Sequence, residues 1–251
     1  MASIRDAVEE SVIEGGLAYT KYILLGALVY YCVSLYNKSA SDNSLFWIVG
    51  PITLIICLGF SLITTSNVKN SNNDVLPSFN IFKIIGVGIK GLVSIGPIML
   101  VNAFFAKMTS QFINGFMSNY VEITRGTAVT IEICTCAVFG SFILTAYLLY
   151  SNKFKITDAY NIKLIYKYCI DILLGIFFFI PKIALVDGIV VGGVTYIFWL
   201  LFGIPHPVCT FFWSLAFAWN LAVAANYLAQ VNYEVIDYNE KNNEKSILDI
   251  D

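Results

Sequence analysis

Histidine occurs once in the 251 residues, and charged side chains make up only 13% of them. One imidazole cannot build a histidine-rich metal cluster. A Ser-His-Asp triad would have to use His206, which sits between Pro205 and Pro207. The little charge present is nearly balanced, at a net −2, and no basic cluster stands out, which argues against nucleic acid as a partner. The opening Met1-Ala2-Ser3-Ile4-Arg5-Asp6 lacks the positive region of a cleaved leader, so the first apolar segment is expected to act as its own membrane address. Enzyme motifs are absent as well. Gly86-Val87-Gly88-Ile89-Lys90-Gly91 has the GxGxxG spacing but no preceding strand, and it is set aside. No catalytic, cofactor or metal site is predicted.

What the chain has is apolar surface. Hydrophobic residues reach 58% and aromatics 15%, with a mean hydropathy of +0.74. Soluble domains run at roughly 45–50% apolar and about 25% charged, and a water-soluble fold of this length could not hide the excess. The expected solvent is therefore a bilayer. Apolar windows fall at 17–36, 44–64, 81–106, 128–150, 163–204 and 208–231. Each is near or above the roughly 20 residues a helical span needs. Stretches of this kind satisfy their backbone hydrogen bonds in lipid only as helices, and no barrel-like alternation is seen. The predicted fold class is an all-α polytopic bundle. All six cysteines (Cys32, Cys57, Cys134, Cys136, Cys169 and Cys209) lie inside these windows and are expected as reduced, packed thiols.

Two windows exceed a simple span, and each holds a proline, Pro97 or Pro181, where a break or kink is expected. A threefold repeat accounts for them. Ile4-Arg5-Asp6-Ala7 resembles Ile156-Thr157-Asp158-Ala159, and Tyr19 to Gly26 matches Tyr168 to Gly175 at Tyr, Ile, Leu, Leu and Gly. Asn80-Ile81, Ile84, Ile89 and Leu92 line up with Asn161-Ile162, Ile165, Ile170 and Leu173. The unit is an amphipathic interfacial helix followed by a membrane hairpin. Unit one covers 2–64; unit two has helices 79–95, 97–124 and 127–150; unit three has 157–179, 182–204 and 208–231. This gives six spans in a single transmembrane domain, 1–231, with a flexible acidic tail at 232–251. With the N-terminus inside, twelve Lys and Arg side chains collect on the inner side. Only Lys38, Lys107 and Arg125 lie outside, so both termini are placed in the cytoplasm of a cell-membrane protein.

Leu76-Pro77-Ser78-Phe79-Asn80 resembles the Leu-Pro-x-aromatic-polar repeat start of domain-of-unknown-function family 4013, a bacterial and archaeal family of polytopic membrane proteins. Ile156-Thr157-Asp158-Ala159-Tyr160-Asn161 is similar to its third repeat start. Ala225-Asn226-Tyr227-Leu228-Ala229-Gln230 with Tyr233 is similar to its closing signature. The chain departs from the pattern at Asn226, where His is frequent, and at Glu234, where a basic residue is usual. The resemblance implies architecture and carries no activity, substrate or cofactor.

Lys107, Gln111, Asn114, Ser118, Glu122 and Arg125 recur at helical spacing, and Glu132 lies inside the next span. Together they read either as the polar wall of a cavity or as an amphipathic helix lying on the outer membrane surface. A carboxylate inside a span is a functional candidate by default; the alternative is pairing with Arg125. Lys182 and Asp187 are five residues apart and read either as a loose pair or as side chains that each meet another helix. Asn220, Asn226 and Gln230 read as hydrogen-bonding links between helices, and Gly188 to Gly192 as a GxxxG packing site. Two functions follow. One is a non-enzymatic membrane assembly module whose partners are lipids and either a second copy or another membrane protein. The other is a small-solute or ion transporter or channel lined around Gln111, Asn114 and Glu132.

Overall fold

The computed structural model describes residues 3–12, 16–37, 44–70, 75–120, 124–203 and 207–237. Among them no strand occurs. The helices in chain order are α1 (Ile4–Ser11), α2 (Gly16–Asn37), α3 (Ser44–Lys69), α4 (Ile81–Met117), α5 (Arg125–Lys153), α6 (Ile156–Ala159), α7 (Ile162–Phe202) and α8 (Pro207–Asn232). Helices α2, α3, α4, α5 and α8 are each long and apolar enough to cross a membrane. In α7 the side chains at 176, 178–180, 182–187, 190 and 191 lie outside the described residues. These include Lys182 and Asp187, as do the backbone positions of Glu122 and His206.

Two expectations change. Helices α4 and α7 run unbroken through Pro97 and Pro181, so the interfacial pieces 79–95 and 157–179 are not separate from the helices that follow. A proline removes one amide donor, whereas ending the helix in lipid would strand several backbone groups with no water to satisfy them. The chain also stays helical past 232, through a π-helical turn Tyr233–Asp237 that buries Ile236. An apolar side chain on the next turn extends the packed face. The rest of the acidic tail, from 238, lies outside the described residues.

The chain divides into two compact units, residues 1–89 with 177–251 and residues 90–176. In the first, α8 packs against α1, α2 and α3. Its face toward them carries Ser214, Ala218, Ala222, Ala225 and Ala229, all buried. Small residues at this spacing let helix backbones approach closely in a membrane. The core joins Ala18, Tyr22 and Leu25 of α2, Cys57, Phe60 and Ile63 of α3, Leu76, Ile84 of α4 and Ala218 and Ala222 of α8. Helices α3 and α4 approach closely at two glycines. A Cβ built on Gly59 would come within 2.0 Å of the Ile84 carbonyl oxygen, and one on Gly88 within 2.0 Å of the Ile55 carbonyl oxygen. Gly188, Gly192 and Gly193 face open space instead, so the GxxxG stretch packs nothing among the described residues.

Large apolar side chains point outward along the long helices, with Trp47, Leu100 and Phe112 each more than 70% exposed. Cys134 and Cys136 are exposed on α5, which corrects the expectation that every thiol is packed. In lipid such side chains face a solvent as apolar as themselves.

Helix α4, whose start lies in the first unit, and α7, whose start lies in the second, begin alike. The Asn80 side chain accepts from the Lys83 amide at 3.1 Å, and the Asn161 side chain from the Leu164 amide at 3.3 Å. A buried isoleucine follows each cap by four residues, Ile84 and Ile165. Asn at the N-cap satisfies a helix donor that would otherwise be orphaned. Helix α5 ends at Phe154, held at φ 51°, and α7 at Gly203, at φ 76°.

Candidate functional site

Among the described residues, the polar stripe of α4 and the groups Arg125 and Glu132 do not converge. Lys107 and Gln111 are exposed on α4, and Ser118 is exposed just beyond it, donating to the Gly115 carbonyl at 2.7 Å. The buried row of this half-helix is the neighbouring one, Ala106 and Ser110. Asn114 stands between the two rows, half-buried, with its Oδ1 covered and without a hydrogen-bond partner. Arg125 and Glu132 are exposed on α5 and form no ion pair with each other. Seven residues put them about 10 Å apart along the axis, whereas side chains meet at three or four residues.

Three cavities among those within the described residues are lined without any of these groups. One of about 300 Å³ is bounded by α2, α3 and the start of α4. One of about 510 Å³ is lined by Val12, Tyr19, Ile23, Val194, Phe212 and Trp219, among others. The third, about 320 Å³, lies beside Pro97, with Val101, Asn102, Phe142 and Ile165. Their linings are overwhelmingly apolar. No group of three His, Cys, Asp or Glu side chains able to hold a metal is found among the described residues.

Polar side chains do converge where α1 meets α8. Ser3 caps α1, its hydroxyl accepting from the Asp6 amide at 3.3 Å. Arg5, Asp6 and Glu9 face outward, and Arg5 bonds Glu9 at 2.8 Å. That hydrogen bond raises the Arg5 pKa above its usual value. The inward face carries Ser3, Ala7, Glu10 and Ser11, three to four residues apart. From it a chain of hydrogen bonds runs into α8. The fully buried Asn226 donates from Nδ2 to Glu10 Oε2 at 2.7 Å. Gln230 donates to Asn226 Oδ1 at 3.0 Å, and the Ser3 amide donates to Gln230 Oε1 at 2.8 Å.

Ser11 anchors the other end of α1. Its hydroxyl accepts from Trp219 Nε1 at 3.2 Å, and its carbonyl accepts from the Tyr22 hydroxyl. On the opposite side of α8, the Thr65 hydroxyl lies within reach of both the Ser61 carbonyl at 3.0 Å and the Ala225 carbonyl at 3.1 Å. A buried polar network is stabilising only when each member finds a partner, and here Asn226 uses both ends of its amide. The arrangement clamps α1 onto the bundle. Sequence reasoning had Asn226 and Gln230 as links but missed Glu10, Ser3 and Ser11. Their spacing on one face of α1 was the signal. Comparison of the chain with protein-family models, curated proteins and solved structures finds no match.

Proposed function

We propose that the chain is a six-span cell-membrane protein with both termini in the cytoplasm, built from three amphipathic-helix-plus-hairpin units. In this reading it is a non-enzymatic assembly module that organises lipid, a second copy or a partner membrane protein. The matching Asn80 and Asn161 caps, each with its buried isoleucine, support the repeat. The 41 residues of α7 amount to about 60 Å, twice a hydrocarbon thickness of about 30 Å, room for a surface segment and the sixth span. The resemblance to family 4013 belongs to the same proposal.

The observation that carries the assembly reading is that the three cavities are lined by apolar side chains, while the best-connected polar cluster is spent on holding α1 to α8. Native mass measurement from nanodiscs tests it. A defined oligomer or a stable complex is expected, together with no flux in proteoliposomes across a panel of ions and metabolites. A strictly monomeric chain that passes a solute overturns it.

Transport is the second reading, favoured by the covered and unpartnered Oδ1 of Asn114. It requires a wild-type flux that Asn114→Ala or Glu132→Ala abolishes while the protein still folds.

A further inference from the structure

One end of the first unit is aromatic. The end of α2 meets the start of α3 through Tyr36 and Phe46, whose ring centres are 5.3 Å apart, and Trp47 follows at 5.8 Å from Phe46. Tyr30 of α2 meets Phe211 near the start of α8 at 5.8 Å, and Phe212 meets Phe198 near the end of α7 at 5.2 Å. These contacts bring the end of α2, the start of α3, the end of α7 and the start of α8 to the same end of the unit. Three of the chain's four tryptophans, Trp47, Trp199 and Trp213, are exposed there, with Tyr36 and Tyr196. Past Trp47 the exposed side chains of α3 are Ile48, Pro51, Ile52 and Leu54, all apolar. The one charged side chain of α3, Lys69, comes twenty-two residues after Trp47, about 33 Å along the axis, against a hydrocarbon thickness of about 30 Å.

We propose that this aromatic end is the surface that seats the first unit in the boundary between headgroups and hydrocarbon of one lipid leaflet. Indole and phenol rings have an apolar body and a polar edge, and they fit where one side is greasy and the other wet. Bulk water would leave five large rings bare, whereas the bilayer centre would leave their N–H and O–H groups without acceptors. The rings stand on four helices, as a band does; a docked helix would cover a single groove. Trp47, Trp199 and Tyr36 lie within three residues of their helix ends, at the boundary. Trp213 is six residues into α8, below it, and its N–H is satisfied inside the protein by Thr195 Oγ1 at 2.7 Å. Such rings fix the depth and tilt of the helices that carry them. The proposal rests on the helices lying in a bilayer, and it adds where the bilayer stops. It needs neither the assembly reading nor the transport reading.

The test is tryptophan fluorescence of the full chain in phosphatidylcholine vesicles whose acyl chains are brominated either close to the headgroup or close to the methyl end. Variants that keep only Trp47 or only Trp199, the other tryptophans changed to Phe, are expected to be quenched more by the shallow bromines than by the deep ones. Leu54→Trp in a chain without other tryptophans is the deep reference, because Leu54 is exposed and lies seven residues, about 10 Å, further along α3. Its shallow-to-deep quenching ratio should be the lower. Wild-type protein, with three of four tryptophans at this end, should follow Trp47, and this arm needs no variant to fold. A ratio for Trp47 and Trp199 no higher than that of Leu54→Trp places the band in hydrocarbon and overturns the proposal, while the bilayer reading stands. Quenching of these two by aqueous acrylamide and by neither bromolipid places them in water and overturns it; the bilayer reading fails with it only if Leu54→Trp behaves the same way. Protection from all three quenchers means that a protein partner or a second copy covers the rings, and also overturns it.

Discussion

The Tyr160 hydroxyl donates to the Val93 carbonyl oxygen at 3.2 Å. Val93 lies four residues before Pro97, so its carbonyl is the one that the proline ring deprives of a helical donor. A side chain from the α6–α7 turn thus supplies the hydrogen bond that α4 cannot make for itself. Removing the hydroxyl with Tyr160→Phe is expected to cost about 1 kcal/mol, a typical net hydrogen bond. In a Pro97→Ala background the same change is expected to cost almost nothing, because the residue 97 amide takes the carbonyl back. The double-mutant cycle, read from unfolding in bicelles, should give a coupling of about 1 kcal/mol. Additive effects would show that the two residues act independently.

Gly59 and Gly88 each lack room for a single carbon. Gly59→Ala and Gly88→Ala are each expected to destabilise by about 1–3 kcal/mol or more, because a backbone carbonyl rather than a flexible side chain must yield. Gly86 meets nothing within 4 Å, and Gly86→Ala should be neutral or stabilising by up to about 1 kcal/mol through helix propensity. Thermal unfolding of the three variants side by side is the check.

Glu10→Ala leaves a fully buried amide donor of Asn226 without its acceptor and is expected to cost about 1–3 kcal/mol. Glu10→Gln keeps an acceptor oxygen and should cost less. Hydrogen exchange gives the local readout. The amides of α1, Ala7 among them, should lose protection in Glu10→Ala well before those of α8 do.

Glu132→Ala and Lys107→Ala remove exposed side chains and are expected to change stability by no more than about 0.5 kcal/mol, with the oligomeric mass unaltered. A large loss in either would point to a partner surface on this face.

Much of the architecture was legible in the composition. Six apolar windows, few charges and no alternation leave helices in lipid as the physical solution, and the bounds 17–36 and 44–64 fall inside Gly16–Asn37 and Ser44–Lys69. The prolines misled because their rule is learned in water, where a broken helix end can be hydrated. At Pro97 no such exchange is offered, and a tyrosine some sixty residues away in the chain repairs the gap. That Gly59 and Gly88 meet, whereas Gly188 and Gly192 do not, depends on which helices cross, and spacing within one helix is silent about that. The stripe from Lys107 to Ser118 was correctly periodic. Periodicity tells which residues share a face, though, and not whether that face is covered. The α1–α8 clamp was half visible, since the amides on α8 were flagged but their acceptor, Glu10, lay in a segment read only as an amphipathic interfacial helix.

The account depends on hydrocarbon being the medium around these helices, and spin-label accessibility measures that directly. Labels at Leu54, Leu100, Ile133 and Leu200, all exposed, in protein reconstituted into liposomes should relax faster with oxygen than with a water-soluble nickel chelate. A label at Arg5 should do the reverse. Preferential relaxation by the nickel chelate at Leu54, Leu100, Ile133 and Leu200 would place these side chains in water and contradict the account.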